Sequence, residues 1–67
     1  MINVNINGAP QQLPDSISVA ALIEHLGLTG KRIALERNGA IVPRSSFDTQ
    51  QLADGDKLEV VVAVGGG

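Results

Sequence analysis

The sequence has 67 residues, of which 43% are hydrophobic and 18% charged, with a formal net charge of −2, one histidine and no cysteine. This length allows one domain, and the missing cysteine excludes disulfides, thiolate zinc sites and cysteine nucleophiles. The acidic balance and the single aromatic residue, Phe47, argue against a nucleic-acid partner, which needs clustered cations and stacking platforms.

Neither a membrane span nor an export signal is predicted. The apolar run from Val60 to Val64 is far shorter than the ~20 residues that cross a bilayer. The first residues lack the basic segment and the continuous apolar stretch of a signal peptide. We therefore expect no membrane partner and a cytoplasmic location.

The chain begins with the pattern of a β-hairpin. Ile2, Val4 and Ile6 alternate with asparagines, which is typical of a strand buried on one face. Residues 8–10, Gly-Ala-Pro, are interpreted as the turn, and residues 11–13 as a short second strand that completes the hairpin.

A short helix follows the hairpin. Its apolar positions recur at helical spacing, at Val19, Leu22, Ile23 and Leu26. Ser18 is the predicted N-cap, and Gly27 is predicted to end the helix in the left-handed conformation with Leu28 as its apolar contact. A helix this short is marginal in isolation, so we expect it to pack on a sheet.

The second half of the chain predicts a further strand pair and a final strand. Residues 33–37 and 40–42 are the predicted strands, joined by the turn Asn38-Gly39, and Pro43 stops the second of them. Residues 45–52 are predicted to be irregular, with Phe47 and Leu52 packed into the core. After a tight turn at residues 54–56, residues 57–64 form the strand with the strongest β-propensity.

This order predicts a two-layer α+β domain with one helix packed on one face of a mixed sheet of four to five strands. The long apolar last strand favours a central position, parallel to the first strand, which is the β-grasp arrangement. We expect the domain to span residues 1–64 and a flexible tail to occupy residues 65–67.

Few residues offer catalytic chemistry of their own. His25 is interpreted as an exposed helix residue, and Asp54 and Asp56 as turn-stabilising side chains rather than metal ligands. No loop with phosphate-binding spacing is present. We therefore expect neither an enzyme nor a metal protein.

The glycines at the end of the sequence have two interpretations. Gly65, Gly66 and Gly67 fit a frayed terminus or a cloning scar, and they also fit a tail that threads a narrow channel, because residues without side chains pass through a slot one backbone wide. In the second interpretation the carboxylate of Gly67 is the reacting group. Adenylation with ATP makes its carbon electrophilic, and a sulfur nucleophile then displaces AMP to leave a thiocarboxylate.

Residues 36–44, residues 52–60 and the terminal glycine pair are the most distinctive segments of the chain. Together they resemble the thiamine-biosynthesis sulfur carriers, the ThiS family of ubiquitin-like β-grasp proteins. Residues 36–44, Glu-Arg-Asn-Gly-Ala-Ile-Val-Pro-Arg, are similar to the N-G-x-I-V-P-R segment of that family. Residues 52–60 resemble the L-x-D-G-D motif that leads into its last strand, and Gly66 and Gly67 match its terminal glycine pair.

The resemblance implies a cycle in which partner enzymes perform the chemistry. An adenylating enzyme (ThiF-like) would use ATP to activate Gly67, and a cysteine desulfurase persulfide would supply the sulfur. Thiazole synthase (ThiG-like) would then take the sulfur from the thiocarboxylate. The chain itself would bind no cofactor. The sequence leaves the oligomeric state open, and a free tail favours a monomer.

A docking surface for these partners is expected beside the tail. Period 2 in the last strand puts Val61 and Ala63 on the open face of the sheet, and we group Val64 with them. Arg37, at the end of its strand with its head in water, and Arg44 are candidate rim contacts. Ordinary β-propensity and solvated surface arginines remain alternative explanations of these residues.

Three other functions stay open at the level of sequence. A molybdopterin-synthase small subunit would use the same tail chemistry with a different acceptor. A non-covalent β-grasp adaptor would bind through its sheet and would not need a free C-terminus. A ubiquitin-like modifier would form isopeptide bonds with lysines.

Overall fold

The computed structural model describes residues 1–63, so the predicted domain end at Val64 and the predicted tail, Gly65–Gly67, lie outside the described residues. The elements follow in the order β1 (Ile2–Ile6), β2 (Ala9–Leu13), α1 (Val19–His25), β3 (Ile33–Arg37), β4 (Ala40–Ile41), a 3₁₀ turn (Arg44–Ser46) and β5 (Lys57–Val62).

The five strands form one mixed sheet in the spatial order β2-β1-β5-β3-β4. β5 occupies the centre, parallel to β1 and antiparallel to β3, and the remaining neighbours are antiparallel hairpin pairs. The predicted β-grasp arrangement is confirmed, including the central last strand and its parallel pairing with the first.

The core lies between α1 and one face of the sheet. Alternate residues of β1, β3 and β5 point into it, as period 2 requires, and the helix adds its apolar stripe. The five most completely buried side chains are Leu13, Val19, Leu22, Leu35 and Leu58. Phe47 is half-buried and Leu52 is buried, so their predicted role in the core is confirmed.

The first hairpin turns earlier than predicted. Its turn is Asn7-Gly8, with φ values of 52° and 86°, and β2 begins at Ala9 instead of residue 11. Positive φ at both central residues is the requirement of the type I′ turn, which Asn-Gly satisfies best. Pro10 therefore lies within β2, where the strand is at a sheet edge and the missing N–H is tolerated.

The second hairpin has the predicted turn, Asn38-Gly39, with φ values of 53° and 86°. Its second strand, β4, ends at Ile41, one residue before the predicted end. Val42 is nevertheless buried, and its amide donates to the carbonyl of Leu35 at 2.9 Å. The loop that follows contains the 3₁₀ turn and no regular strand.

The seven-residue helix α1 is capped at both ends. The Ser18 hydroxyl accepts from the amide of Ala21 at 3.1 Å, as predicted for the N-cap. At the other end Gly27 has φ 73°, and the Leu28 amide donates to the Ile23 carbonyl at 3.0 Å, which is the six-to-one bond of a Schellman motif. Both predicted caps are confirmed.

The loop after β4 completes the N-terminal cap of α1. The amides of Val19 and Ala20 donate to the carbonyls of Gln50 and Phe47, at 2.9 and 2.8 Å. The first-turn amides of a helix otherwise have no backbone partner. Within residues 1–63 no helix is long and apolar enough to cross a membrane.

Candidate functional site at the end of the last strand

The candidate site surrounds the point where β5 ends. Val62 pairs with Ile33 at the start of β3, and the Ala63 amide donates to the Arg32 carbonyl at 2.9 Å. The sheet register therefore continues to Ala63, the last described residue. The proposed reacting residue, Gly67, lies four positions further along the chain and outside the described residues.

A shallow concavity of about 270 Å³ opens beside this point. Ala34, Val61 and Ala63 give it apolar walls on the open face of the sheet, and Arg32 and Arg44 border it. Val61 is 61% exposed although it lies in the central strand. These five residues are called the exit patch below.

The exit patch brings together three of the residues that the sequence singled out for docking, namely Val61, Ala63 and Arg44. Val64 lies outside the described residues, so its predicted place in the docking surface is not described. Arg37 does not join the patch, because it lies at the far end of β3, opposite Leu58 instead of Val62.

The expectation that the head of Arg37 lies in water is wrong. Its Nε donates to Oδ2 of Asp56 at 2.7 Å, and its side chain is 29% exposed. Asp56 is buried, which the interpretation as a simple turn residue missed. Arg37 is therefore part of an internal ion pair.

Asp56 is surrounded by donors. Besides Arg37, its carboxylate accepts from Nδ2 of Asn38 at 3.0 Å and from the amide of Ala53 at 2.8 Å. Burial alone would raise the pKa of Asp56, but these hydrogen bonds and the charge of Arg37 outweigh it and hold that pKa below its ordinary value. The group links the turn before β5 to the turn between β3 and β4.

The two turn asparagines hold β5 from opposite sides. Asn7 acts as a surrogate strand residue, since its Nδ2 donates to the Val60 carbonyl at 3.0 Å and its Oδ1 accepts from the Val60 amide at 2.8 Å. On the other side Oδ1 of Asn38 accepts from the Lys57 amide at 2.9 Å. The strand that leads to the site is thus fixed by side chains as well as by its neighbours.

The open face of the sheet is acidic at the end away from the exit patch. Glu36 and Glu59 are directly opposed on β3 and β5, and with Lys57 they border a wider concavity of about 630 Å³. Like charges in directly opposed positions are unfavourable. The pair Glu36 and Glu59 is called the acidic end below.

The sequence analysis did not single out Arg32 and Ile41, which both lie on the open face of the sheet. Arg32 precedes the first buried residue of β3, so period 2 places it on the open face, but only the register with β5 puts it beside Ala63. Ile41 is 73% exposed and pairs with Glu36, so it adds an apolar side chain to the same face. The alternation of β4 was the available signal for Ile41.

The exposure of His25 and the contact of Asp54 agree with the non-catalytic roles expected from the sequence. His25 is exposed at the end of α1, as expected. Oδ1 of Asp54 accepts from the Asn3 amide at 2.7 Å, so this carboxylate stabilises the junction of the turn with β1. Among residues 1–63 there is no group of three or more histidine, aspartate or glutamate side chains placed to hold a metal ion.

Comparison with known proteins gives a match over nearly the whole chain. The model of the ThiS family matches residues 4–67. A thiazole synthase of Paramagnetospirillum magneticum is 45% identical over 62 residues, which are 92% of this chain and 19% of that protein. The uncharacterized protein ycf40 of Pyropia yezoensis is 39% identical over 66 residues, which are 98% of this chain and 93% of that protein.

The two relatives differ in how much of their length the chain matches. It spans about a fifth of the thiazole synthase and nearly all of ycf40. Among solved structures, the crystal structure of the thiamine biosynthesis protein ThiS from Geobacter metallireducens is similar, with a TM-score of 0.83 at 30% identity. That similarity covers 98% of this chain and 100% of the other.

Proposed function

The chain belongs to the ThiS family, and from that membership we propose that it is a sulfur carrier for thiazole formation in thiamine biosynthesis. The observation that carries the proposal is the family match, which extends from residue 4 through the terminal glycines. The likeness to a thiamine biosynthesis protein over 98% of the chain supports it.

The reacting group is the carboxylate of Gly67. Its oxygen attacks the α-phosphorus of ATP on an adenylating enzyme, and pyrophosphate leaves. The terminal sulfur of a persulfide, generated by a cysteine desulfurase, then attacks the acyl carbon, and AMP leaves. A second thiol attacks the inner sulfur and forms a disulfide with it, so that the thiocarboxylate is released.

In this role the chain is a co-substrate, and its partners hold the ATP and the catalytic groups. Thiazole synthase is the proposed acceptor of the sulfur. A protein of that name contains a segment 45% identical to this chain, which supports a physical association of the two. The adenylating enzyme and the desulfurase are proposed from the family membership, and activation is a step that a carboxylate requires before a nucleophile can attack it.

The geometry of the domain suits a carrier protein that delivers its C-terminal residue to a partner enzyme. Ala63 is tied to β3, and covalent geometry limits the four residues beyond it to a reach of about 14 Å. A partner that acts on Gly67 must therefore approach closely enough to cover the exit patch. We propose Gly65 and Gly66 as the part of the chain that threads the partner's channel, because they carry no side chains.

The test is thiocarboxylation followed by intact mass measurement. The protein is incubated with the adenylating enzyme, ATP, cysteine and the desulfurase, and we expect one oxygen-for-sulfur exchange that maps to Gly67. Deletion of Gly67, or addition of one alanine after it, is expected to abolish the exchange. Addition of one alanine before Met1 is the matched control and is expected to leave it intact.

Two results would overturn the proposal. Full exchange in the chain extended after Gly67 would show that the terminal carboxylate is not the reacting group. Formation of molybdopterin from the thiocarboxylate, with no product formed by thiazole synthase, would instead make the chain a small subunit of molybdopterin synthase. The product formed with each acceptor enzyme distinguishes these cases.

A further inference from the structure

We propose that Arg32 and Arg44 bind carboxylates of thiazole synthase and so set the orientation in which the exit patch docks on that enzyme. The proposal rests on the proposed function, because it names how the acceptor of the sulfur is recognised. Neither the position of Arg32 nor a role for the pair follows from the tail chemistry itself.

The two arginines lie beside the apolar part of the exit patch. Both border the concavity whose apolar walls are Ala34, Val61 and Ala63. Arg32 is additionally fixed beside Ala63 by the hydrogen bond between their backbones. An enzyme that receives the residues after Ala63 in its active site must come within reach of both guanidinium groups.

The guanidinium groups of the two arginines are available to a partner. Arg32 and Arg44 are exposed, and within residues 1–63 neither has a carboxylate within 4.0 Å. Arg37 differs, since its side chain is half-buried and paired with Asp56. A guanidinium presents a planar array of donors that fits a carboxylate with two parallel hydrogen bonds. Two such groups beside an apolar surface therefore favour an acidic partner surface.

The open face of the sheet carries a gradient of charge along its strands. Arg32 and Arg44 lie where β5 ends, and the acidic end lies nearer the start of that strand. A partner surface with carboxylates is attracted by the first end and repelled by the second. Complementary charge of this kind raises the association rate and disfavours wrong orientations. The partner's carboxylates must then lie beside the mouth of the channel that takes the tail.

Two relatives of this chain favour thiazole synthase as the partner. The thiazole synthases of Paramagnetospirillum magneticum and Magnetococcus marinus each contain a segment similar to this chain, which covers 19% and 20% of their lengths. Joining two units in one polypeptide replaces an encounter in solution by a high effective concentration. We take this as the reason to choose thiazole synthase over the adenylating enzyme as the occupant of the exit patch.

The experiment measures association of the full chain with thiazole synthase from the same organism by biolayer interferometry at low and high salt. R32Q and R44Q are each expected to lower the association rate constant about 2- to 5-fold, and the double variant about tenfold. The salt dependence of the rate should become shallower in the same order. K57Q removes one positive charge beside the acidic end, outside the exit patch, and its association rate constant is expected to stay close to that of the parent.

Several outcomes would overturn the proposal. If K57Q slows association as much as R44Q does, the effect belongs to net charge and not to the exit patch. If the arginine variants lose association with the adenylating enzyme alone, the assigned partner is wrong. Failure of the parent chain to bind thiazole synthase or to give it sulfur would instead overturn the proposed function. Circular dichroism confirms that each variant is folded.

Discussion

Asp56 illustrates how one carboxylate can join distant parts of a short chain. Its partners are Arg37 and Asn38, which precede it by 19 and 18 residues, and the amide of Ala53. A buried carboxylate is tolerated when charged and hydrogen-bonding partners replace the lost water. Here all three partners belong to segments that converge at the start of β5.

The pH dependence of stability should report this network. The pKa of Asp56 is lower in the folded protein than in the unfolded chain, so its ionised carboxylate stabilises the fold. This stabilisation is fully present above the unfolded pKa of about 3.9 and is lost as the pH falls through the folded pKa. D56N removes the charge and is expected to lower the free energy of unfolding by about 2 kcal/mol at pH 7. In this variant the free energy of unfolding should also fall less steeply below pH 4. Urea unfolding at a series of pH values measures both effects.

The matched control for D56N is D48N, which neutralises an exposed carboxylate in the loop after β4. It is expected to change the unfolding free energy at pH 7 by less than about 0.5 kcal/mol. Equal losses in the two variants would mean that the overall charge, and not the contacts of Asp56, stabilises the fold.

At this scale the sequence was a partial guide. The turn at residues 54–56 was predicted, but the burial of Asp56 and its ion pair with Arg37 were not. A period-2 pattern shows which face a strand residue occupies, and it carries no information about which distant side chain meets it. The pairing follows from the register of β3 with β5, which is a property of the whole sheet.

At the scale of elements, the two Asn-Gly turns do more than reverse the chain. β1 pairs with β5 at only two positions, and the Asn7 side chain continues that pairing as far as Val60. A side-chain amide can do this because it offers one donor and one acceptor, as a peptide group does. The turn residue thereby extends the support of the strand that leads to the exit patch.

N7G tests this role without straining the turn, because glycine accepts positive φ more readily than asparagine does. Loss of the two hydrogen bonds is expected to cost about 1–2 kcal/mol and to speed hydrogen exchange at the Val60 amide. N3A, which alters an exposed asparagine of β1, is the control and should leave that amide protected. Unchanged exchange at Val60 in N7G would contradict the bridging role.

Most of the helices, strands and turns could be predicted from local sequence patterns. The helix stripe, both of its caps, the second hairpin turn and the central apolar strand were predicted. The first turn was misplaced because Asn7-Gly8 and the following Ala9-Pro10 both carry turn signals, and the Asn-Gly pair is the stronger one. The loop carbonyls of Phe47 and Gln50 that cap α1 have no local signal, since they follow the helix by more than 20 residues.

At the scale of the whole molecule, the sheet has one face in the core and one in solvent. Val60 and Val61 are chemically identical neighbours in β5, with exposures of 9% and 61%. V60A is expected to cost about 2 kcal/mol, because it leaves a cavity against α1, and V61A less than about 0.5 kcal/mol. Chemical denaturation of the two variants compares the faces directly, and equal losses would contradict the sidedness of the sheet.

Because the sheet has one buried and one exposed face, part of the candidate site could be predicted from the alternation of residues along a strand. Val61, Ala63 and Arg44 were found from alternation and from the family resemblance. Arg32 and the acidic end were not, because they depend on which residues of β3 lie opposite β5. The charge gradient combines residues of β3, of β5 and of the 3₁₀ turn, and no single segment displays it.

The central place of β5 has a consequence for biosynthesis. The two hairpins, residues 2–13 and 33–41, share no pairing with each other and meet only through β5. On the ribosome they remain separate pieces until residue 62 has emerged, and only then can the core close around α1. A nascent chain that stalls before that point exposes two unpaired edges, so its survival depends on prompt completion or on chaperone capture.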